Sequence, residues 1–128
     1  MPDIENLWGD LSELPDMDLP KHILNAQKEY LESSLKGLVL ADVKQVNDSG
    51  RIKISFTVFP ANNEDMAQEL LSVTHGGGIY PAIVKCSVEP VGEDRAEDDE
   101  SFKRVVHRIL SSKEAKHTVN KFRLIAIS

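Results

Sequence analysis

Apolar and polar residues alternate strictly over residues 51–59, RIKISFTVF. This period is typical of a strand with one face toward a core and the other toward solvent. The preceding stretch 38–46, LVLADVKQV, also favours a strand, and the turn formers NDSG lie between the two. The pattern therefore predicts an antiparallel hairpin whose second strand is ended by Pro60.

Three other segments carry the 3.6-residue period of amphipathic helices. The first is predicted over about 20–36, because Pro20 suits a first helical turn and Gly37 suits a helix end. The second has apolar residues at helical spacing over 102–110, directly after acidic residues that favour a helix N-terminus. The third follows the sequence SSKE, which resembles a capping box with Ser111 as the cap.

Two more strands are predicted between the hairpin and the second helix. Residues 66–75 fit both periods, and we predict a strand there. Residues 79–88, IYPAIVKCSV, also favour a strand, in which Pro81 predicts an edge position or a bulge because it lacks an amide donor. Residues 91–100, VGEDRAEDDE, are predicted to form a solvated acidic loop.

The order of these elements predicts an α+β fold. We expect a four-stranded antiparallel meander sheet, with the N-terminal helix and two C-terminal helices packed mainly on one face. A length of 128 residues suits one domain over 1–128, in which residues 1–18 form an N-terminal arm. The N-terminal IENLWGDL, the Leu-Pro pair before the first helix, Tyr80-Pro81 and ILSSKEAKHTVNKF near the end resemble a group of small, uncharacterised bacterial proteins. That resemblance implies no activity and no site residue.

Composition narrows the classes of function. No apolar run is long enough to span a bilayer and the N-terminus is acidic, so we expect a cytoplasmic protein that does not bind membranes. Cys86 is the only cysteine, which excludes an internal disulfide and favours a small core residue. The four histidines show no metal-binding spacing and no paired catalytic carboxylates are evident, so no metal, cofactor or enzyme activity is predicted.

Charge is distributed unevenly along the chain. Residues 1–100 hold 8 basic and 20 acidic residues, whereas residues 101–128 hold 7 basic and 1 acidic residue. A nucleic-acid interface on the C-terminal helices is one hypothesis, and it would depend on Arg104 and Arg108. The net charge of −6 disfavours it, and so does the position of Phe102 and Phe122 on the apolar stripes of these helices rather than beside the charges.

The sequence THGGGIYP contains a histidine followed by three glycines. An HGGG loop supplies oxyanion-hole amides in some esterases, but no G-x-S-x-G nucleophile motif is present. Consecutive amides can also bind an anion, although β-rich sequence rather than a helix follows here. We expect a turn between two strands. A ligand-binding or catalytic loop is the alternative, formed by His75, Gly76, Gly77, Gly78 and Tyr80.

The arm contains the only tryptophan, Trp8, flanked by leucines and acids. Such residues can anchor a docking peptide, although a large apolar side chain can also fold back on its own protein. We predict a non-enzymatic protein–protein interaction domain of the immunity or adaptor kind, a monomer or homodimer that meets a basic partner through acidic surface. The predicted contact residues are Leu7, Trp8, Leu11, Glu93, Asp94, Glu97, Asp98, Asp99 and Glu100.

Overall fold

The structure is a computed structural model that describes residues 5–14 and 16–128. The described chain is α+β, with one antiparallel sheet and three α-helices. Its elements are a 3-10 turn Leu11–Glu13, α1 Pro20–Ser34, β1 Val39–Asp48, β2 Arg51–Pro60, β3 Gln68–His75, β4 Ala82–Cys86, β5 Gly92–Ala96, α2 Asp99–Leu110 and α3 Lys113–Ile127.

The sheet is a meander in the order β1-β2-β3-β4-β5, and each strand is antiparallel to the next. The prediction of four strands is wrong, because part of the predicted acidic loop forms β5. This strand pairs with β4 from Ala96 opposite Ala82 to Gly92 opposite Cys86. Its charged residues suit the solvent side of an edge strand, which explains why its composition indicated a loop.

The β1–β2 hairpin is confirmed, and Ser49 and Gly50 connect its strands with positive φ angles of 51° and 80°. Positive φ at both central positions matches the right-handed twist of the flanking strands. The strand predicted over 66–75 is confirmed as β3. Pro81 lies before β4 rather than inside a strand, and β4 has neighbours on both sides. The expected edge position or bulge at Pro81 is therefore wrong.

Helix ends differ from the predicted ones by one or two residues. Helix α1 ends at Ser34, and Gly37, at φ 77°, donates its amide to the Glu32 carbonyl at 2.9 Å. Helix α3 is capped by Ser112 instead of Ser111, because the Ser111 amide still bonds the His107 carbonyl of α2. Helix α2 begins after Asp98, whose carboxylate accepts the amide of Ser101 in a capping box.

The buried residues form one apolar cluster that joins the sheet to all three helices. Helix α1 packs against β1, α2 against β4 and β5, and α3 against β2 and β1. Alternate residues of β2 are buried, as the sequence pattern predicts. No helix in the described part of the chain is both long and apolar enough to cross a bilayer.

Phe102 is the largest helical side chain with no solvent exposure, and its ring meets Tyr80 edge-on at 6.3 Å between centroids. We expect Phe102→Ala to lower the free energy of unfolding by about 3–5 kcal/mol, because it removes buried apolar area and leaves a cavity. Urea denaturation measures this change. Leu124→Ala, at an exposed position of α3, is the matched control and should change stability by less than about 1 kcal/mol. Equal losses in both variants would contradict the assigned core.

Candidate functional site

The N-terminal arm is described over residues 5–14 and 16–18, and it presents two large apolar side chains on a locally formed turn. The Asn6 side chain accepts the Trp8 amide at 2.9 Å and donates to the Gly9 carbonyl at 3.2 Å. Gly9 has a φ of 77°, a conformation that glycine adopts without steric cost. The turn leaves Leu7 88% and Trp8 81% exposed. The alternative in which Trp8 packs back on its own protein is not what the structure shows.

The next part of the arm is also ordered by its own hydrogen bonds. The Asp10 carboxylate accepts the amide and the hydroxyl of Ser12, which lowers the pKa of Asp10 below its ordinary value. These bonds cap the 3-10 turn, on which Leu11 is exposed. Leu14 and Met17 are exposed as well. The arm therefore carries a series of apolar side chains that its own protein does not cover.

Asp18 fixes the end of the arm to the folded body through three contacts. Its amide donates to the Asp99 carboxylate at 3.0 Å, and its carbonyl accepts the Tyr80 hydroxyl at 2.7 Å. Its carboxylate lies 2.6 Å from the ammonium group of Lys103, and this hydrogen bond raises the pKa of Lys103. Because backbone and side chain are both held, the direction in which the arm leaves the body is set at this residue.

Tyr80 follows the three glycines in the β3–β4 connection and contacts the arm, because its hydroxyl donates to the Asp18 carbonyl. Its ring packs against Phe102. Partial burial, together with the carboxylates of Asp99 and Asp18, raises the pKa of Tyr80 to about 12. The hydroxyl therefore stays protonated at neutral pH and can donate to Asp18.

Most of the predicted acidic contact residues are engaged in contacts within the protein. Among them, Asp94 pairs with Arg108, Glu97 with Arg95 at 2.7 Å, and Glu100 with Lys103 at 3.5 Å. Asp98 caps α2, and the Ser101 amide holds its pKa below the ordinary value. Asp99 holds the amide of Asp18. Glu93 is exposed on β5, opposite Lys85. Of these six acidic residues, only Asp99 contacts the arm directly.

The glycine loop connects β3 to β4 as the turn that the sequence predicts. The Ile79 amide donates to the Gly76 carbonyl at 3.0 Å, and the Tyr80 amide donates to the Gly78 carbonyl at 2.8 Å. His75 is buried, and its Nδ1–H donates to the Gly76 carbonyl at 2.9 Å. Among the described residues, none of the clefts we find is lined by these glycines or by His75. The geometry of residues 75–80 therefore gives no support to the alternative of a ligand-binding or catalytic loop.

The other candidate groups are dispersed. Arg108 is engaged by Asp94, Arg104 is exposed, and the histidines other than His75 are exposed on three different helices. In the described ranges, no three histidine, cysteine or acidic side chains lie together as metal ligands would. The Cys86 thiol is buried and donates to the Val88 carbonyl at 3.1 Å, as expected for a core residue.

No protein-family model matches the chain, and comparisons with curated proteins and with solved structures give no significant match.

The sequence did not indicate that Asp18 anchors the arm. Its hydrogen-bond partners Tyr80 and Asp99 lie 62 and 81 positions further along the chain, so no local pattern joins them. Tyr80 was singled out, but as part of a ligand loop. Its observed partner is a backbone carbonyl, a type of contact that has no sequence signature.

The raised pKa of Tyr80 predicts a pH dependence of stability. Since the folded pKa is about 12 and the ordinary value is 10.0, the contribution of Tyr80 is complete below pH 10 and is lost as pH rises toward 12. Urea unfolding across this interval should show a steeper loss for the natural protein than for Tyr80→Phe. Ultraviolet titration of the two proteins isolates the Tyr80 phenolate. Ionisation of Tyr80 near its ordinary pKa would contradict the assigned contacts.

Proposed function

We propose that the chain is a non-enzymatic protein–protein interaction domain of the immunity or adaptor kind, whose acidic arm docks on a basic partner. The observation that carries the proposal is the exposure of Leu7 and Trp8 on a turn that the arm's own hydrogen bonds build. Large apolar side chains on a preordered support bind with little further loss of conformational entropy. Tryptophan is also the residue type most enriched among binding hot spots.

The charge of the molecule supports an arm-centred interface. Residues 1–18 hold six of the 21 acidic residues and none of the 15 basic ones, so residues 19–128 hold 15 of each. The whole net charge of −6 therefore resides in the arm. A concentrated negative charge steers encounter with a basic surface and places the apolar anchors beside it.

We place the proposed contact surface on the arm rather than on the predicted acidic loop. Asp94, Asp98 and Asp99 are already engaged in contacts that hold the fold. A partner that used these carboxylates would first have to break those contacts, at a cost in binding free energy. Glu5 and Asp16 are exposed and have no ion pair among the described residues, so they remain available to a partner.

We also propose that all three helices lie mainly on one face of the sheet. The shared core supports this, because Ile54 and Phe56 of β2 belong to the same cluster as Phe102 and Phe122. Lys53, which alternates with them along β2, is exposed. The opposite face then offers positions for control variants that leave both the arm and the helices unchanged.

Trp8→Ala should weaken binding of the partner by about 30-fold, because it removes a central hot-spot side chain. Affinity purification from the native host, followed by calorimetry with the recovered partner, measures the loss. Leu124→Ala removes an exposed apolar side chain outside the arm and is the matched control. Undiminished binding by Trp8→Ala would refute the proposed role of the arm.

Charge steering is tested separately with the double variant Glu5→Gln and Asp16→Asn. We expect slower association and a weaker dependence of the association rate on salt. Glu64→Gln with Asp65→Asn removes the same charge from the β2–β3 connection and should leave the rate and its salt dependence unchanged. Equal effects of the two double variants would show that overall charge acts, rather than the charge of the arm.

A further inference from the structure

A groove runs along the side of α1 that faces α2 and α3. Three adjoining clefts of about 290, 460 and 310 Å³ form it, and Gln27 lines all of them. The first cleft begins at Asp18, and the last ends at Leu35, the residue after α1, and at Val119 of α3. The groove exists because α1 packs mainly on β1 and makes few contacts with α2.

The lining of this groove combines apolar and basic side chains. Ile23, Leu31, Leu110 and Val119 contribute aliphatic surface, and Phe56 and Leu70 of the sheet line the cleft of about 310 Å³. The charged groups of the lining are Lys103, Lys116 and a single acid, Asp18, which Lys103 already neutralises. Among the described residues, Lys116 has no carboxylate within ion-pair distance.

The arm has the complementary chemistry. It is acidic and it exposes Leu7, Trp8, Leu11 and Leu14. With the turn at residues 6–9 and the 3-10 turn both kept, the seven other residues of 5–18 reach about 23 Å when extended. The stretch from His22 to Leu35, the residue after α1, is only about 20 Å long at 1.5 Å per residue. The arm is therefore long enough to cover the whole groove.

We propose that the groove receives the arm of a second copy of this chain, so that two copies exchange arms in a closed dimer. One copy leaves both the arm's apolar residues and the groove uncovered, and a reciprocal exchange covers both at once. A two-fold exchange also closes on itself, whereas a one-way exchange would give open chains. This inference rests on the proposed docking role of the arm and adds a docking surface on the protein itself.

Trp8 is the only tryptophan, so its emission reports directly on the arm. We expect a monomer with solvent-exposed emission near 1 μM, and a dimer with blue-shifted emission toward about 1 mM, in sedimentation and fluorescence on the same samples. Trp8→Ala should remove the dimer without changing the circular dichroism. Lys116→Glu should raise the dimer dissociation constant about tenfold or more, because it places an acid against the acidic arm.

A control variant and a synthetic peptide complete the test of the arm exchange. Lys44→Glu makes the same charge change on β1 and should leave the dissociation constant unchanged. A synthetic peptide of residues 5–18, added to full-length Trp8→Ala, provides the only tryptophan in the mixture. We expect its emission to shift to the blue and its anisotropy to rise. Lys116→Glu in the same chain should weaken this response about tenfold, and a scrambled peptide should give no response.

Three results would overturn the inference: a monomer with exposed Trp8 at every concentration, a monomer with buried Trp8 at every concentration, or a dimer that persists in Trp8→Ala. The second result would mean that the arm fills its own groove. The proposed function fails on a different observation, since it requires Trp8→Ala to lose a partner recovered from the host. A monomeric protein whose partner binding still depends on Trp8 would keep the function and remove the self-exchange.

Discussion

The three contacts of Asp18 are the constraint on which this account depends. They join a segment that exposes apolar residues to the folded body, through the first two turns of α2 and the connection before β4. An ion pair at an exposed position contributes little alone. Here it acts together with two hydrogen bonds to one residue, so the arm has a fixed starting point while its remaining contacts are local.

The glycine loop between β3 and β4 has a structural role in this anchor. The amides of Ile79 and Tyr80 donate to carbonyls within the turn, and the buried His75 side chain is bonded to the carbonyl of Gly76. The glycine loop positions Tyr80. The Tyr80 ring packs on Phe102, and its hydroxyl donates to the Asp18 carbonyl. A motif that resembles part of an esterase site thus lies beside the residue that anchors the arm.

Most of the fold could be predicted from the sequence, because the periodic spacing of apolar residues is a strong signal of secondary structure. Alternation gave β2, helical spacing gave α1 and α2, and the NDSG turn gave the hairpin between β1 and β2. Strand β5 was missed because an edge strand with charged residues has the composition of a loop. The cap of α3 was misplaced by one residue, because two adjacent serines compete for it and only the end of α2 decides between them.

The candidate site was predictable only in part. Trp8 was identified by its acidic, leucine-rich surroundings, but its anchor depends on residues far away in the sequence. The central claim is that the arm of an isolated chain is uncovered and becomes covered only on association. Acrylamide quenching of Trp8 emission tests it most directly. We predict full accessibility to the quencher in dilute protein and protection in the complex. Protection already present in the dilute monomer would contradict the account.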